Sequence, residues 1–222
     1  MRDQPGLEPA SGAGGDAHDA FPASGSAAAA AADRGLIETC VHSETVHRGA
    51  FLNMRCDTVL LPDGKQAIRE YITHPGAVMI LPVFDDGRVL VERQFRYPVG
   101  QVMIEYPAGK LDPQEGALAC GIRELREETG YVAREYAFMT RIHPVISYSN
   151  EFIDLYVARG LTAGQAALDD GEFLETHVVE LAQMLEWIAQ GVISDVKTII
   201  ATFWLDRYTR GESRLDFKPA PH

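Results

Sequence analysis

Three cysteines in 222 residues, Cys40, Cys56 and Cys120, are too few and too far apart to build a framework of cross-links. No CxxC pair stands among them, so neither a disulfide scaffold nor a zinc cluster is indicated, and a reducing cytoplasm fits. Positive charge is also scarce. Twenty Lys and Arg oppose 32 Asp and Glu, a formal net charge of −12, which excludes the clustered basic surface that nucleic-acid phosphates demand. Long apolar runs are missing: none reaches the roughly 18 residues needed to span a bilayer, so no membrane partner is expected. The N-terminal segment carries only Arg2 as a cation and has no large-aliphatic stretch, and so does not read as a signal peptide. What is present is a composition of 46% hydrophobic and 23% charged residues, ordinary for a globular chain. The length suits one sizeable domain, alone or with a small appendage. An acidic protein that takes an anionic substrate must reverse its own field locally, and bound divalent cations with a few arginines are the means.

Residues 1–34 are dominated by Ala, Gly, Ser, Pro and Asp and could bury little apolar area to offset the entropy of ordering. They read as a disordered tail, or as an overlong start-site assignment. Three strand-like runs follow, Ile37–Val46, Ala50–Leu60 and Gln66–Thr73, parted by His47-Arg48-Gly49 and Pro62-Asp63-Gly64, and predict a small antiparallel sheet over residues 35–75. Ala77–Phe84 and Val89–Phe95 flank Asp85-Asp86-Gly87, whose glycine supplies the positive φ of a hairpin turn. A short strand at Met103–Tyr106, a helix, strands near Tyr136–Ile142, Phe152–Val157 and Phe173–Glu180, and helices Leu181–Gln190 and Ser194–Tyr208 complete a domain over 76–210. Residues 211–222 read as a C-terminal tail. Strand runs interrupted by isolated helices predict an α/β fold, an α/β/α sandwich with a mixed sheet.

Asp112-Pro113-Gln114-Glu115 has the pattern of a helix start, with Asp112 as cap, Pro113 in the first turn and Glu115 completing the box. Gly130 marks the end. At about 100° per residue, Glu124, Glu127 and Glu128 share an arc of about 100°. Leu118, Ile122, Leu125 and Thr129 form a separate apolar stripe that docks on the sheet. Like charges at such spacing repel. Arg123, four residues before Glu127, offsets part of that repulsion, and a hard divalent cation offsets more, because carboxylate oxygens are the ligands Mg²⁺ prefers.

Gly109, Glu115, Arg123, Glu124, Leu125, Glu127, Glu128 and Gly130 stand as G-x5-E-x7-R-E-U-x-E-E-x-G-U, where U is aliphatic and Tyr131 departs from the pattern in the last slot. Seven identities at fixed spacing are a specific signal. The pattern resembles the Nudix box, and over about residues 35–210 the chain is similar in style to Nudix hydrolases. The resemblance implies hydrolysis of a nucleoside diphosphate linked to another moiety. It assigns Glu124, Glu127, Glu128 and the Ala108 carbonyl to Mg²⁺, with Mn²⁺ as a substitute. Arg123 and Glu115 would orient the helix, and Gly109 and Gly130 would shape its ends.

Within the family the chain looks most like the ADP-ribose pyrophosphatase and nucleoside-diphosphate-sugar group. The segments that carry this likeness are His74–Ala77, Val91–Arg96, Glu105–Gly109, Ser149–Glu151 and Gly191–Thr198. A water then attacks one phosphorus, and a base takes its proton. Glu151, after the polar run Ser147–Asn150, is the candidate base, with Glu127 as the fallback. Arg96 and Arg69 are candidate diphosphate clamps because guanidinium binds phosphate oxygens bidentately. Glu105 would hold one of them or accept from the substrate. The histidines His74 and His143 read as structural, since no partner stands at ligand spacing. The resemblance also implies a homodimer through the N-terminal sheet, with sites partly shared. A ligand sensor without catalysis, and a hydrolase of dinucleotide polyphosphates or coenzyme A, are the alternatives.

Overall fold

The computed structural model describes residues 31–221. The expected tail of residues 1–34 therefore lies outside the described residues up to residue 30, and its last part forms a short 3₁₀ turn at Asp33–Gly35. The chain divides into two compact units, one made of residues up to Glu44 with Cys56–Arg69, the other of Thr45–Arg55 with Glu70 onward.

Strands β1 (Thr39–Arg48), β2 (Asn53–Leu60) and β3 (Gln66–Thr73) follow one another in a three-stranded sheet. In the first unit β2 and β3 are joined by a tight turn, where Gly64 N–H donates to the Leu61 carbonyl at 2.9 Å and adopts φ 83°, a conformation glycine takes without strain. Arg69 is gripped there by both carboxylate oxygens of Glu38, at 2.9 and 2.5 Å.

The second unit holds the larger, mixed sheet. Strands β4 (Ala77–Val83), β5 (Val89–Arg96), β8 (Tyr131–Ile142), β9 (Ile153–Ala163), β10 (Leu174–Val179) and β11 (Lys218–Pro219) lie in the order β10-β5-β4-β9-β8-β11. The pairing of β4 with β9 is parallel, while β8 with β9 and β10 with β5 are antiparallel. Residues of β4 are buried on both faces, as expected of a central strand covered from two sides. Val78 and Ile80 pack with Cys120 and Leu125 of helix α1 (Ala117–Thr129). Met79 and Leu81 pack on the opposite face with Met184 of α2 (Leu181–Ala189) and with Ala201 and Leu205 of α3 (Val196–Thr209). These are the three layers the strand and helix pattern predicts.

The expected hairpin around Asp85-Asp86-Gly87 is present, with Gly87 at φ 87°. Its strands, however, pair only at Val83 and Val89 and then part. The next segment fills the wedge: β6 (Gln101–Glu105) pairs with β5, and β7 (Ala108–Lys110) pairs with β4. Tyr106-Pro107 makes the crossing. Tyr106 is fully buried. Its N–H donates to Thr198 Oγ1 at 3.4 Å and its hydroxyl lies 3.0 Å from Thr202 Oγ1, both on α3.

Two sequence expectations are corrected. Helix α1 begins at Ala117 behind Gly116, which offers no side-chain cap. Gln114 sits at φ 70° and breaks the helical path, and the Glu115 carboxylate turns to Arg123 Nε at 3.2 Å. The segment from Asp112 therefore curls over α1 rather than starting it. The C-terminal segment is not wholly a tail, because Lys218 and Pro219 pair with Tyr136 and Glu135 on the free side of β8. The Arg159 guanidinium lies 3.8 Å from the centroid of the neighbouring Phe217 ring.

Leu125 is fully buried between α1 and the sheet. Leu125→Ala should destabilise the fold by about 2–5 kcal/mol, the cost of a buried leucine and the void it leaves. Urea denaturation measures this, and a loss below about 1 kcal/mol would contradict the docking of α1 described here.

Candidate active site

A cavity of about 760 Å³ in the second unit is lined by residues of β4, β5, β7, β9, α1 and α3 together with loop residues. Its floor begins at the box helix. The Gly109 backbone leaves space for the Glu124 side chain, and a Cβ built there would overlap the Glu124 carboxylate. Close approach of a side chain to backbone is one reason such a position takes glycine. Gly130 ends α1 at φ 75°, its N–H donating to the Arg126 carbonyl.

Arg123 is the hub of the helix. Nε and Nη2 reach Glu115 at 3.2 and 3.1 Å, and Nη1 reaches Glu127 at 3.0 Å and Glu124 at 2.9 Å. The hydrogen bond with Glu115 is the main reason its pKa is raised, and the same bond holds Glu115 below its ordinary value. The three box glutamates thus divide. Glu127 turns to Arg123 and is not among the residues that line the cavity, whereas Glu124 and Glu128 line it.

Glu128 is 4% exposed, and its Oε2 meets no partner. Burial, reinforced by Glu92, Glu124 and Glu172, pushes it up to about 10, with a backbone hydrogen bond from Ala108 as the partial offset. Glu124 is raised as well, by burial against the pull of Arg123. Behind them stands Glu92, fully buried on β5 with neither oxygen paired, and pushed up to about 8 by burial and by Glu105. Negative charge at these positions is under-compensated, because Arg123 pulls on Glu124, and Arg96 and Lys197 pull on Glu92, yet burial outweighs them. A hard cation held by carboxylates and a backbone carbonyl answers that shortfall, so the donor set fits Mg²⁺. Among the described residues, no three His, Cys, Asp or Glu side chains already converge as a closed metal cage.

Positive charge enters from the side. Arg96 forks onto Glu105 at 2.7 and 3.0 Å, while Lys197 at the start of α3 bonds Glu105 and, at 3.0 Å, Asp195. Burial raises Glu105, but the two cations outweigh it and hold the carboxyl below its ordinary value. Arg96 and Lys197 both line the cavity.

Glu151 also lines the cavity. It lies 3.7 Å from His74 Nε2, in a loop tied to β3 through Asn150 Oδ1, which accepts from His74 N–H at 2.7 Å. The Nδ1 of His74 accepts from Gly76 N–H at 3.1 Å, and burial lowers its pKa against the pull of Glu151. Arg69 sits in the first unit, engaged by Glu38.

Four lining or adjoining residues have no role in the sequence reading. Glu172 lines the cavity, and Gln94 Nε2 donates to it at 3.3 Å. In the sequence it is one acid of the run Asp169-Asp170-Gly171-Glu172, which looks like any solvated turn. Lys197 lies in a segment that carried family likeness only. Phe51, whose ring stands edge-on to His74 at 5.6 Å with Lys110 Nζ 3.9 Å from its centroid, reads as a strand residue. Glu92 did leave a signal, a lone acid directly after Val89-Leu90-Val91.

A carboxyl whose folded pKa exceeds its unfolded value binds more protons folded than unfolded between the two, so stability falls as pH rises through that window. For Glu92 the window runs from 4.5 to about 8, and Glu128 extends it upward. In EDTA the melting temperature should therefore drop over this range, and Glu92→Gln should flatten the drop and raise the value at its upper end. Calorimetry across pH checks this, and a wild-type melting temperature that climbs from pH 5 to 8 would refute the unpaired state of these acids.

The comparisons with known proteins meet this geometry. The NUDIX domain sequence model matches residues 73–199, and that of the nucleoside diphosphate sugar hydrolase N-terminal domain matches residues 38–72. The chain is 33% identical to an ADP-ribose pyrophosphatase of Bacillus subtilis (strain 168) over 174 residues, covering 78% of this chain and 94% of the relative. It is equally, 33%, identical to a methanol dehydrogenase activator of Bacillus methanolicus over 170 residues, covering 76% and 92%. A crystal structure of an ADP compounds hydrolase shares the fold, with a TM-score of 0.72 at 23% identity over 80% of this chain and 96% of that one. A domain match across more than half the residues, with the box helix folded around its arginine, means that the chain belongs to the Nudix domain family.

Proposed function

We propose that this protein hydrolyses the diphosphate bond of ADP-ribose, or of a related nucleoside diphosphate sugar, to a nucleoside monophosphate and a sugar phosphate. The observation that carries the reading is the meeting of Glu124, Glu128, Arg96 and Lys197 around one cavity. Carboxylates there await a cation, and two cations face them. The relative named ADP-ribose pyrophosphatase supports the substrate class.

Glu124, Glu128 and the Ala108 carbonyl would hold Mg²⁺, or Mn²⁺ in its place. When bound, the ion supplies positive charge opposite the diphosphate oxygens. Arg96 is pre-oriented by its fork on Glu105 and presents its remaining donors to a phosphate. Lys197 adds a second, compact charge. Water attacks one phosphorus, the P–O bond to the bridging oxygen breaks, and a carboxylate accepts the proton of the water. Glu172 is favoured for that step. Its charge acts on Glu92, Glu124 and Glu128, whereas that of Glu151 acts on His74 and Glu127 is paired with Arg123. Phe51 is 45% exposed at the cavity and offers an aromatic surface for the base. Arg69, held by Glu38, is left out of the phosphate contacts.

A homodimer and a cytoplasmic setting belong to the same reading. Val41 and Val46 of β1, Leu60 of β2 and Ile68 of β3 are exposed apolar side chains of the N-terminal sheet, and exposed apolar surface there supports association through that sheet. No helix among the described residues is long and apolar enough to cross a membrane. A division into an N-terminal sheet over 35–75, used for dimerisation, and a catalytic domain over 76–210 is part of the proposal.

With Mg²⁺, ADP-ribose should yield AMP and ribose 5-phosphate, resolved by ion-exchange chromatography. Glu128→Gln and Glu172→Gln should each lower kcat roughly 100- to 10,000-fold, while Glu151→Gln stays within about 10-fold of wild type. Binding of ADP-ribose without turnover would instead make the protein a ligand sensor. An unchanged rate in Glu128→Gln would remove the metal assignment. Replacing the aromatic ring, Phe51→Ala should raise KM with little change in kcat, and an unaltered KM would separate Phe51 from the substrate.

A further inference from the structure

Between the end of β9 and the start of β10 the chain crosses residues 164–173, the segment that delivers Glu172. Residues 162–171 are all exposed, so no buried side chain anchors that stretch. Its anchors are main-chain bonds to the last turn of α1. Gly164 N–H donates to the Gly130 carbonyl at 2.8 Å, and Ala167 N–H donates to the Glu127 carbonyl at 2.8 Å. Carbonyls at a helix C-terminus have no partner within the helix and are available for such docking.

The two glycines meet without room for a side chain. A Cβ on Gly164 would stand 2.8 Å from the Gly130 oxygen, and a Cβ on Gly130 would stand 2.7 Å from Ala166 N. Gly130 needs glycine in any case for its φ of 75°. Gly164 is not among the residues with positive φ, so its backbone would accept alanine, and the contact alone demands its bareness. Past this point Glu172 N–H closes a turn onto the Asp169 carbonyl at 3.0 Å, and the chain joins β10 opposite Gln94.

We propose that Gly164 is a positioning residue for hydrolysis: its close approach to Gly130 fixes where the segment leaves α1, and thereby where Glu172 stands relative to Glu124 and Glu128. The proposal rests on Glu172 acting in the reaction as argued above. The docking point is well placed for this. Glu127, whose side chain is locked by Arg123, supplies the carbonyl for Ala167, and Glu128 is its neighbour in sequence. One rigid turn of α1 therefore carries both the cavity carboxylate and the seat of the segment. Displacement of Gly164 moves Glu172 against Glu128 while Glu128 itself stays in place.

The test uses the full chain with ADP-ribose and saturating Mg²⁺. Gly164→Ala should lower kcat roughly 10- to 100-fold, because small misplacements of a reacting group cost that much, with KM within about 3-fold of wild type. Its melting temperature should fall by only a few degrees, since the strained contact and the lost bond lie on an exposed segment that buries nothing. Amide hydrogen exchange at Ala167 should accelerate, reporting the lost bond to Glu127 without any appeal to activity. In a Glu172→Gln background Gly164→Ala should add no further loss, because both changes act through one group. Wild-type kcat in Gly164→Ala beside an inactive Glu172→Gln would overturn the positioning role alone, as would losses that multiply in the double variant. A wild-type rate in Glu172→Gln would strike the role of Glu172 itself, and a purely structural defect would show as a large fall in melting temperature with an equal activity loss in the Glu172→Gln background, and refute the proposal.

Discussion

Carboxylates withdrawn from water without enough positive charge to meet them are costly to any fold. Here three of them, Glu92, Glu105 and Glu128, are almost wholly buried, and their treatment differs. Glu105 is satisfied by Arg96 and Lys197. Glu92 and Glu128 are left with unpaired oxygens and drift upward in pKa instead. The protein is therefore built with a deficit of positive charge at one place. That deficit is what a divalent cation, and with it a diphosphate, relieves.

The architecture follows from the need to bring those groups together. A hairpin that stayed zipped would keep β4 and β5 side by side. Because the strands part after Val83 and Val89, β6 and β7 enter the wedge, and their crossing places Glu105 against Glu92 on one side and the Ala108-Gly109 backbone beneath Glu124 on the other. The box helix then has little freedom. Leu125 fixes its apolar side in the core, and Arg123 holds Glu115, Glu124 and Glu127 from a single guanidinium. Arginine suits that task because its planar fork presents several donors at once.

Local periodicity made much of this legible in the sequence. The apolar stripe of α1, its ending at Gly130 and the turn at Gly87 depend on residues close in the chain, and each stands where expected. What was hidden depends on distant neighbours. The splay of the hairpin is decided by which strands fill the wedge, not by the turn. The start of α1 misled because Asp112-Pro113-Gln114-Glu115 satisfies a capping pattern, while the competing partner of Glu115 is Arg123, eight residues on. At the site, the fixed spacing of the box pointed to Glu124, Glu127 and Glu128, of which Glu124 and Glu128 line the cavity. Glu172 arrives on an irregular exposed segment with no set distance from the box, so only the folded chain brings it to the cavity. The C-terminal strand is two residues long, too short for any period to show.

The fastening of Tyr106 between strand and helix has a mechanical consequence. The tyrosine's amide and hydroxyl are held by Thr198 and Thr202, and Lys197 on the same helix grips the residue next to it. The strand crossing and the acid it carries are thus fastened to consecutive turns of α3, so the seat of Glu105 is made by helix and strands jointly.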